Sequence, residues 1–178
     1  MKRKYWILIC VTTLVVVLDQ WTKAIVVNRF HLGETISVMS GFFSLTYIRN
    51  PGAAFGFLAQ ADPAFRIPFF LVVPGIALFA IGYVFRKIQP RDLKLSTALS
   101  LVIGGAIGNL IDRVMLGAVI DFLDFYWRRG YHFPAFNVAD SAICIGVGIL
   151  MIDLLLNDPD LADQTDQKES KKHASSTS

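Results

Sequence analysis

A four-helix integral membrane protein with a small outward-facing β-sheet is predicted by three features of this 178-residue chain. It is 54% hydrophobic and only 17% charged, whereas an ordinary soluble domain carries about 25% charged residues. Four stretches are apolar over the roughly 20 residues that a bilayer crossing needs. Between them lie short segments whose apolar residues alternate in period two, the pattern of strands. The same composition excludes other classes. Fourteen phenylalanines argue against a disordered chain, and two cysteines cannot staple a secreted scaffold. A net charge of +3 gives no reason to expect nucleic acid as a partner.

The first span, about 5–27, is apolar apart from Thr12, Thr13 and a cluster of Asp19, Gln20, Thr22 and Lys23. Lys2, Arg3 and Lys4 precede it as they would a signal peptide, but the apolar run is long and no small-residue cleavage site follows Val27, so it reads as a retained helix. The outer segment 28–66 holds two strand-like runs, Thr35–Val38 and Ser44–Ile48. The second span, 67–85, has no charge. The third, 95–116, is polar only late, at Asn109, Asp112 and Arg113. A second outer segment, 117–135, contains the extended run Val119–Phe125, and the fourth span, 136–156, carries Asn137, Asp140 and Ser141 early and Asp153 late. The polar residues 157–178 read as a disordered cytoplasmic tail appended to a membrane domain of 1–156. Lys2, Arg3, Lys4 and the loop cations Arg86, Lys87, Arg91 and Lys94 place both termini in the cytoplasm.

Charges inside a span are expensive and call for a reason. With a rise of about 1.5 Å per residue, Asp19 lies about 21 Å from the cytoplasmic start of its helix and Asp112 about 26 Å from its own, while Asp140 lies about 6 Å from the outer start of the last span. Three helices thus bring polar residues to one depth, the outer third of the membrane, with Asp121 just beyond. Asp153, near the inner end, reads as an ordinary interfacial residue. Cys10 and Cys144, with no acid or histidine at a useful spacing, read as buried packing residues. His31, His132 and His173 lack metal-ligand spacing, and Ser141 has no lysine or histidine at its depth.

Two carboxylates held close together share a proton, so that one activates a water as base while the other donates to a carbonyl oxygen. This is peptide-bond hydrolysis without serine, cysteine, metal or cofactor. Asp19, Asp112, Asp121, Asp124 and Asp140 are at the right level. Asp19 has Lys23 one turn away and Asp112 is followed by Arg113, so both have ready ion-pair partners. Elimination favours Asp121 with Asp140, and the other acids stay open. A small ion- or proton-coupled transporter subunit is the main alternative, although a pathway across the membrane should place acids at several depths.

Five motifs then occur in order: Asp19-Gln20-Trp21-Thr22-Lys23, Asn50-Pro51-Gly52-Ala53-Ala54-Phe55-Gly56, Gly108-Asn109-Leu110-Ile111-Asp112-Arg113, Val119-Ile120-Asp121-Phe122 and Phe136-Asn137-Val138-Ala139-Asp140-Ser141. Together they resemble the bacterial lipoprotein signal peptidases, or type II signal peptidases. The resemblance implies an aspartyl endopeptidase of the bacterial cytoplasmic (inner) membrane, multi-pass and monomeric, with its active site near the outer, periplasmic face. It implies substrates that are diacylglyceryl-modified prolipoproteins, cut before the lipidated cysteine, with membrane lipid around them and globomycin as inhibitor between the two aspartates. It assigns catalysis to Asp121 and Asp140, and a supporting surround to Asp19, Lys23, Asn50, Gly52, Asn109, Asp112, Arg113 and Asn137. Within that surround, Asn109, Arg113 and Asn137 would bind substrate backbone or orient the dyad, and Asp19, Lys23 and Asp112 would hold the helices in register. The resemblance also implies that the loop at Asn50–Gly56 covers the site as a lid. The run Gly104–Gly108 would let another helix come close to the third span.

Overall fold

The computed structural model describes residues 2–53, 56–127 and 131–156. The elements in chain order are α1 (Arg3–Arg29), β1 (Thr35–Met39), β2 (Phe43–Asn50), α2 (Pro63–Lys87), α3 (Leu93–Leu116), β3 (Val119–Trp127), β4 (Tyr131–His132) and α4 (Val138–Leu156). All four helices are long and apolar enough to cross a membrane. The expected tail, 157–178, lies outside the described residues, as do Ala54 and Phe55 of the loop.

Local chemistry sets where the helices start and stop. Asp62 caps α2 by accepting the Ala64 N–H at 2.7 Å, and Pro63 stands at its first turn. That extends the helix four residues ahead of the uncharged run. Asp92 caps α3 through the Leu95 N–H at 2.9 Å. Gly117 ends α3 with φ +68°, its N–H bonded to the Arg113 carbonyl at 3.0 Å. α4 begins at Val138, two residues later than the apolar run begins at Phe136.

The helices run up and down. Lys94 and Asp153 meet at 2.7 Å, so the start of α3 lies beside the end of α4. Thr12 donates to the Ser100 carbonyl and Gln20 to that of Gly108, which sets α1 parallel to α3. Lys4, almost fully buried, donates to the carbonyls of Phe85, Arg86 and Ile88 and so satisfies the end of α2. α3 is the central helix and packs against all three others. Gly105 faces the Ala139 carbonyl of α4, and a Cβ at Gly108 would stand 2.7 Å from an Asp19 carboxylate oxygen of α1. The glycine run therefore admits two neighbours, one on each side. Small residues carry this contact because lipid tails offer no hydrophobic gain for helix association.

The four-stranded antiparallel sheet has the order β1-β2-β3-β4. Thr35 pairs with Thr46 between the first two strands, and Phe43 with Phe125 between the central ones. Register shifts between Leu45 and Ile48 of β2, leaving Ile48 opposite Asp121. Val26 of α1 packs with Tyr47, Ile120 and Phe122, which seats the sheet on one end of the bundle. The two-residue β4, beyond the expected strands, pairs Tyr126 with His132.

The cysteines correct the sequence reading. Both Cys10 and Cys144 are exposed. The buried residues of α1 run Lys4, Val15, Asp19, Lys23 and Val26, and those of α4 are Ala139, Ala142 and Gly146. Each cysteine lies off its stripe, Cys10 on an apolar face that in a bilayer meets lipid and Cys144 on the wall of a cavity. Apolarity alone does not distinguish a lipid-facing position from a packed one.

Because the atom facing Gly105 is backbone, the α3–α4 contact cannot relax around a side chain there. Gly105→Val is expected to destabilise the protein by about 1–3 kcal/mol, read as a lower unfolding temperature in detergent. The same change at Gly148, which has open space around it, should have little effect.

Candidate active site

The site begins with a buried cation. Lys23 is 2% exposed, and its Nζ stands 2.8 Å from Asp19 Oδ2 and 2.8 Å from Asp112 Oδ2. It also donates to Asn109 Oδ1 at 3.1 Å. The i,i+4 spacing sets the Asp19 contact on one face of α1, while Asp112 and Asn109 lie one turn apart on α3. The adjacent Arg113 does not pair with Asp112. It turns away and donates from Nη2 to the Gly52 carbonyl at 3.3 Å, with its guanidinium 5.1 Å from the Phe70 ring centre. Gln20 completes the cluster by donating to Asp112 Oδ1 at 2.9 Å.

Each acid of this cluster also holds a backbone amide. Asp19 Oδ1 accepts the Ala139 N–H at 2.9 Å, and Asp112 Oδ2 accepts the Ile120 N–H at 3.1 Å. The cluster therefore fixes the start of α4 and the start of β3, the elements that carry Asp140 and Asp121.

Asn137 and Asp140 form a capping box on α4. The Asp140 N–H donates to Asn137 Oδ1 at 2.9 Å, and the Asn137 N–H donates to Asp140 Oδ2 at 3.2 Å. Asp140 Oδ1 accepts from Asn109 Nδ2 at 2.7 Å. The fully buried Asn137 amide points to Asp121 Oδ1 at 2.8 Å, to the Ile120 carbonyl and to Asn109 Oδ1, both at 3.1 Å. Asn50 donates to Asp121 Oδ2 at 3.1 Å and accepts the Gly52 N–H at 3.0 Å. One residue, Asn137, thus bonds both carboxylates, through its side chain to Asp121 and its backbone to Asp140. All ten residues singled out from the sequence belong to this one connected arrangement.

Asp121 and Asp140 line a common cavity of about 410 Å³ with Asn109, Arg113, Phe136 and Cys144. Burial raises the Asp121 carboxyl to about 7, with the nearby Asp140 charge acting in the same direction and the Asn50 and Asn137 amides opposing it. Asp121 therefore holds a proton below that pH and loses it above. A protonated acid beside a carboxylate can donate a proton on one side of a substrate bond and accept one on the other.

Sequence reasoning placed Gln20 in the polar cluster of the first span but gave it no role at the site, where it bonds Asp112. It also missed the contact of Asp124 with His132 Nδ1, at 2.9 and 3.0 Å. Nothing in the spacing joins those two residues, because the hairpin between β3 and β4 does so.

The family described as signal peptidase (SPase) II matches residues 11–156. The chain is 49% identical over 149 residues to a lipoprotein signal peptidase of Syntrophotalea carbinolica, covering 84% of this chain and 91% of the relative. It is 51% identical over 155 residues to that of Geobacter sulfurreducens, covering 87% and 95%. A solved structure of a bacterial membrane enzyme superposes with a TM-score of 0.76 at 39% identity, covering 86% of this chain and 90% of that one.

Removing the central cation leaves two buried carboxylates without compensation. Lys23→Met is expected to cost about 3–5 kcal/mol of stability, measured by unfolding in detergent, because the cation balances both acids at once.

Proposed function

The chain belongs to the signal peptidase II family, and on that premise we propose that Asp121 and Asp140 are the catalytic pair of a membrane peptidase acting on lipoprotein precursors. Its activity is the removal of lipoprotein signal peptides by proteolysis, and family membership sets aside the transporter alternative. The observation that carries the assignment is Asn137, whose side chain bonds one carboxylate and whose backbone bonds the other.

In the proposed reaction a water sits between the two acids. The ionised carboxylate takes a proton from it as its oxygen attacks the scissile carbonyl, and the protonated acid donates to the carbonyl oxygen. The tetrahedral intermediate collapses as the acid that took the water's proton gives it to the amide nitrogen and the other, now ionised, takes one from a hydroxyl of the intermediate. The C–N bond then breaks, leaving a carboxylate on the signal peptide and an amine on the mature chain. Asn109, Asn137 and Asn50 hold the acids, while Arg113, held in place by the Gly52 carbonyl, faces the substrate backbone. Asp19, Lys23 and Asp112 act on position rather than chemistry.

The substrate is a prolipoprotein carrying diacylglycerol on the cysteine after the scissile bond. The apolar wall of the 410 Å³ cavity, which includes Ile143 and Cys144 of α4, suits the leader or acyl chains. The enzyme sits as a monomer in the bacterial inner membrane, surrounded by lipid, with both termini and the tail 157–178 in the cytoplasm, 1–156 as the peptidase domain and the site near the periplasmic face. Globomycin would bind between the aspartates, and the Asn50–Gly56 loop would cover them.

Asp121→Asn and Asp140→Asn are each expected to lower cleavage of a lipidated precursor by about a hundredfold or more, while the protein stays folded in the membrane. Normal processing by a well-folded Asp140→Asn protein would contradict the assignment.

A further inference from the structure

A second cavity of about 560 Å³ lies on the sheet side of Asp121. It shares Asn50, Ala53, Asp121 and the segment 133–135 with the first cavity. The two are otherwise unlike. The first runs toward Ile143 and Cys144 of α4, whereas the second opens over the sheet and contains Arg49, Asp124 and His132. A polypeptide threaded past the two aspartates, with its apolar leader toward α4, therefore leaves through the sheet-side groove.

The polar groups of that groove are held in place. Asp124 is 7% exposed, and both its oxygens face His132 Nδ1, so the buried carboxylate is occupied by the imidazole. The imidazole stacks on Tyr126 with ring centres 5.2 Å apart and planes 19° apart. Its side chain is 54% exposed, which leaves Nε2 for a ligand. Arg49 donates through Nε to the Tyr47 hydroxyl at 3.0 Å, with its guanidinium 5.8 Å from that ring centre. Among the described residues its outer nitrogens have no hydrogen-bond partner. The groove thus presents two oriented nitrogen-bearing groups and has its own acid already paired.

We propose that this groove binds the first residues of the mature chain after the cleavage site, and that Arg49 and His132, oriented by Tyr47 and Asp124, make it favour acidic over basic side chains there. The inference rests on the catalytic reading of Asp121 and Asp140, and adds a specificity determinant to it.

The test uses two lipidated precursors that differ only in the residue following the lipidated cysteine, glutamate in one and lysine in the other. The readout is the ratio of their kcat/KM values, in which a general loss of activity or stability cancels. The intact enzyme is expected to favour the glutamate precursor by about threefold, as suits a partly exposed charge contact. Arg49→Gln and His132→Gln should each bring the ratio toward one, and Arg49→Glu should invert it. Cleavage of both precursors with the same ratio in the intact enzyme and all three variants would overturn the groove assignment alone. Failure of the intact enzyme to cut either precursor would overturn the peptidase reading beneath it.

Discussion

The geometry of the site depends on one buried ammonium group. A lysine taken out of water is stable only if its charge and its donors are met. Lys23 meets two carboxylates and an amide oxygen within 3.1 Å. These come from α1 and α3, so the cation fixes the offset of the two helices along their length. The same acids then accept amides at the starts of α4 and β3. Four elements of different origin in the chain are registered against one charge.

From that charge the order passes outward through amides. Asn109 touches Lys23 with its oxygen and Asp140 with its nitrogen, while Asn137 touches Asn109, Asp121 and Asp140. Asparagine suits these places because it accepts and donates at once and carries no charge that would neutralise the acids. The cationic cluster and the acid pair are thus connected but kept distinct. Asp19 and Asp112 are ion-paired to a lysine, whereas among the described residues Asp121 has only amides as direct hydrogen-bond partners and carries a raised pKa. The same residue type serves scaffold and proposed chemistry, and its partners decide which.

Much of this was legible in the residues. Helix rise alone brought Asp19, Asp112 and Asp140 to one depth, and two period-two runs and one extended run marked three of the four strands. The Asn137–Asp140 spacing carried a capping box as well as a functional signal. What escaped depended on direction or distance. Asp112 has Arg113 beside it in sequence, yet it binds Lys23 because successive residues of a helix point about 100° apart. The cysteines were misplaced because a lipid-facing surface or a cavity wall, like a protein core, accepts apolar side chains. The Asp124–His132 contact needed a strand of only two residues, too short to leave a periodic trace.

The proposed chemistry requires a protonated carboxylic acid in the resting enzyme near neutral pH. Infrared difference spectroscopy across a pH titration detects that group directly. The expected result is a carboxylic-acid carbonyl band present on the acid side, lost as pH rises through about 7, and missing from Asp121→Asn. A spectrum with no protonated carboxyl below that midpoint, or a band unchanged in Asp121→Asn, would contradict the assignment.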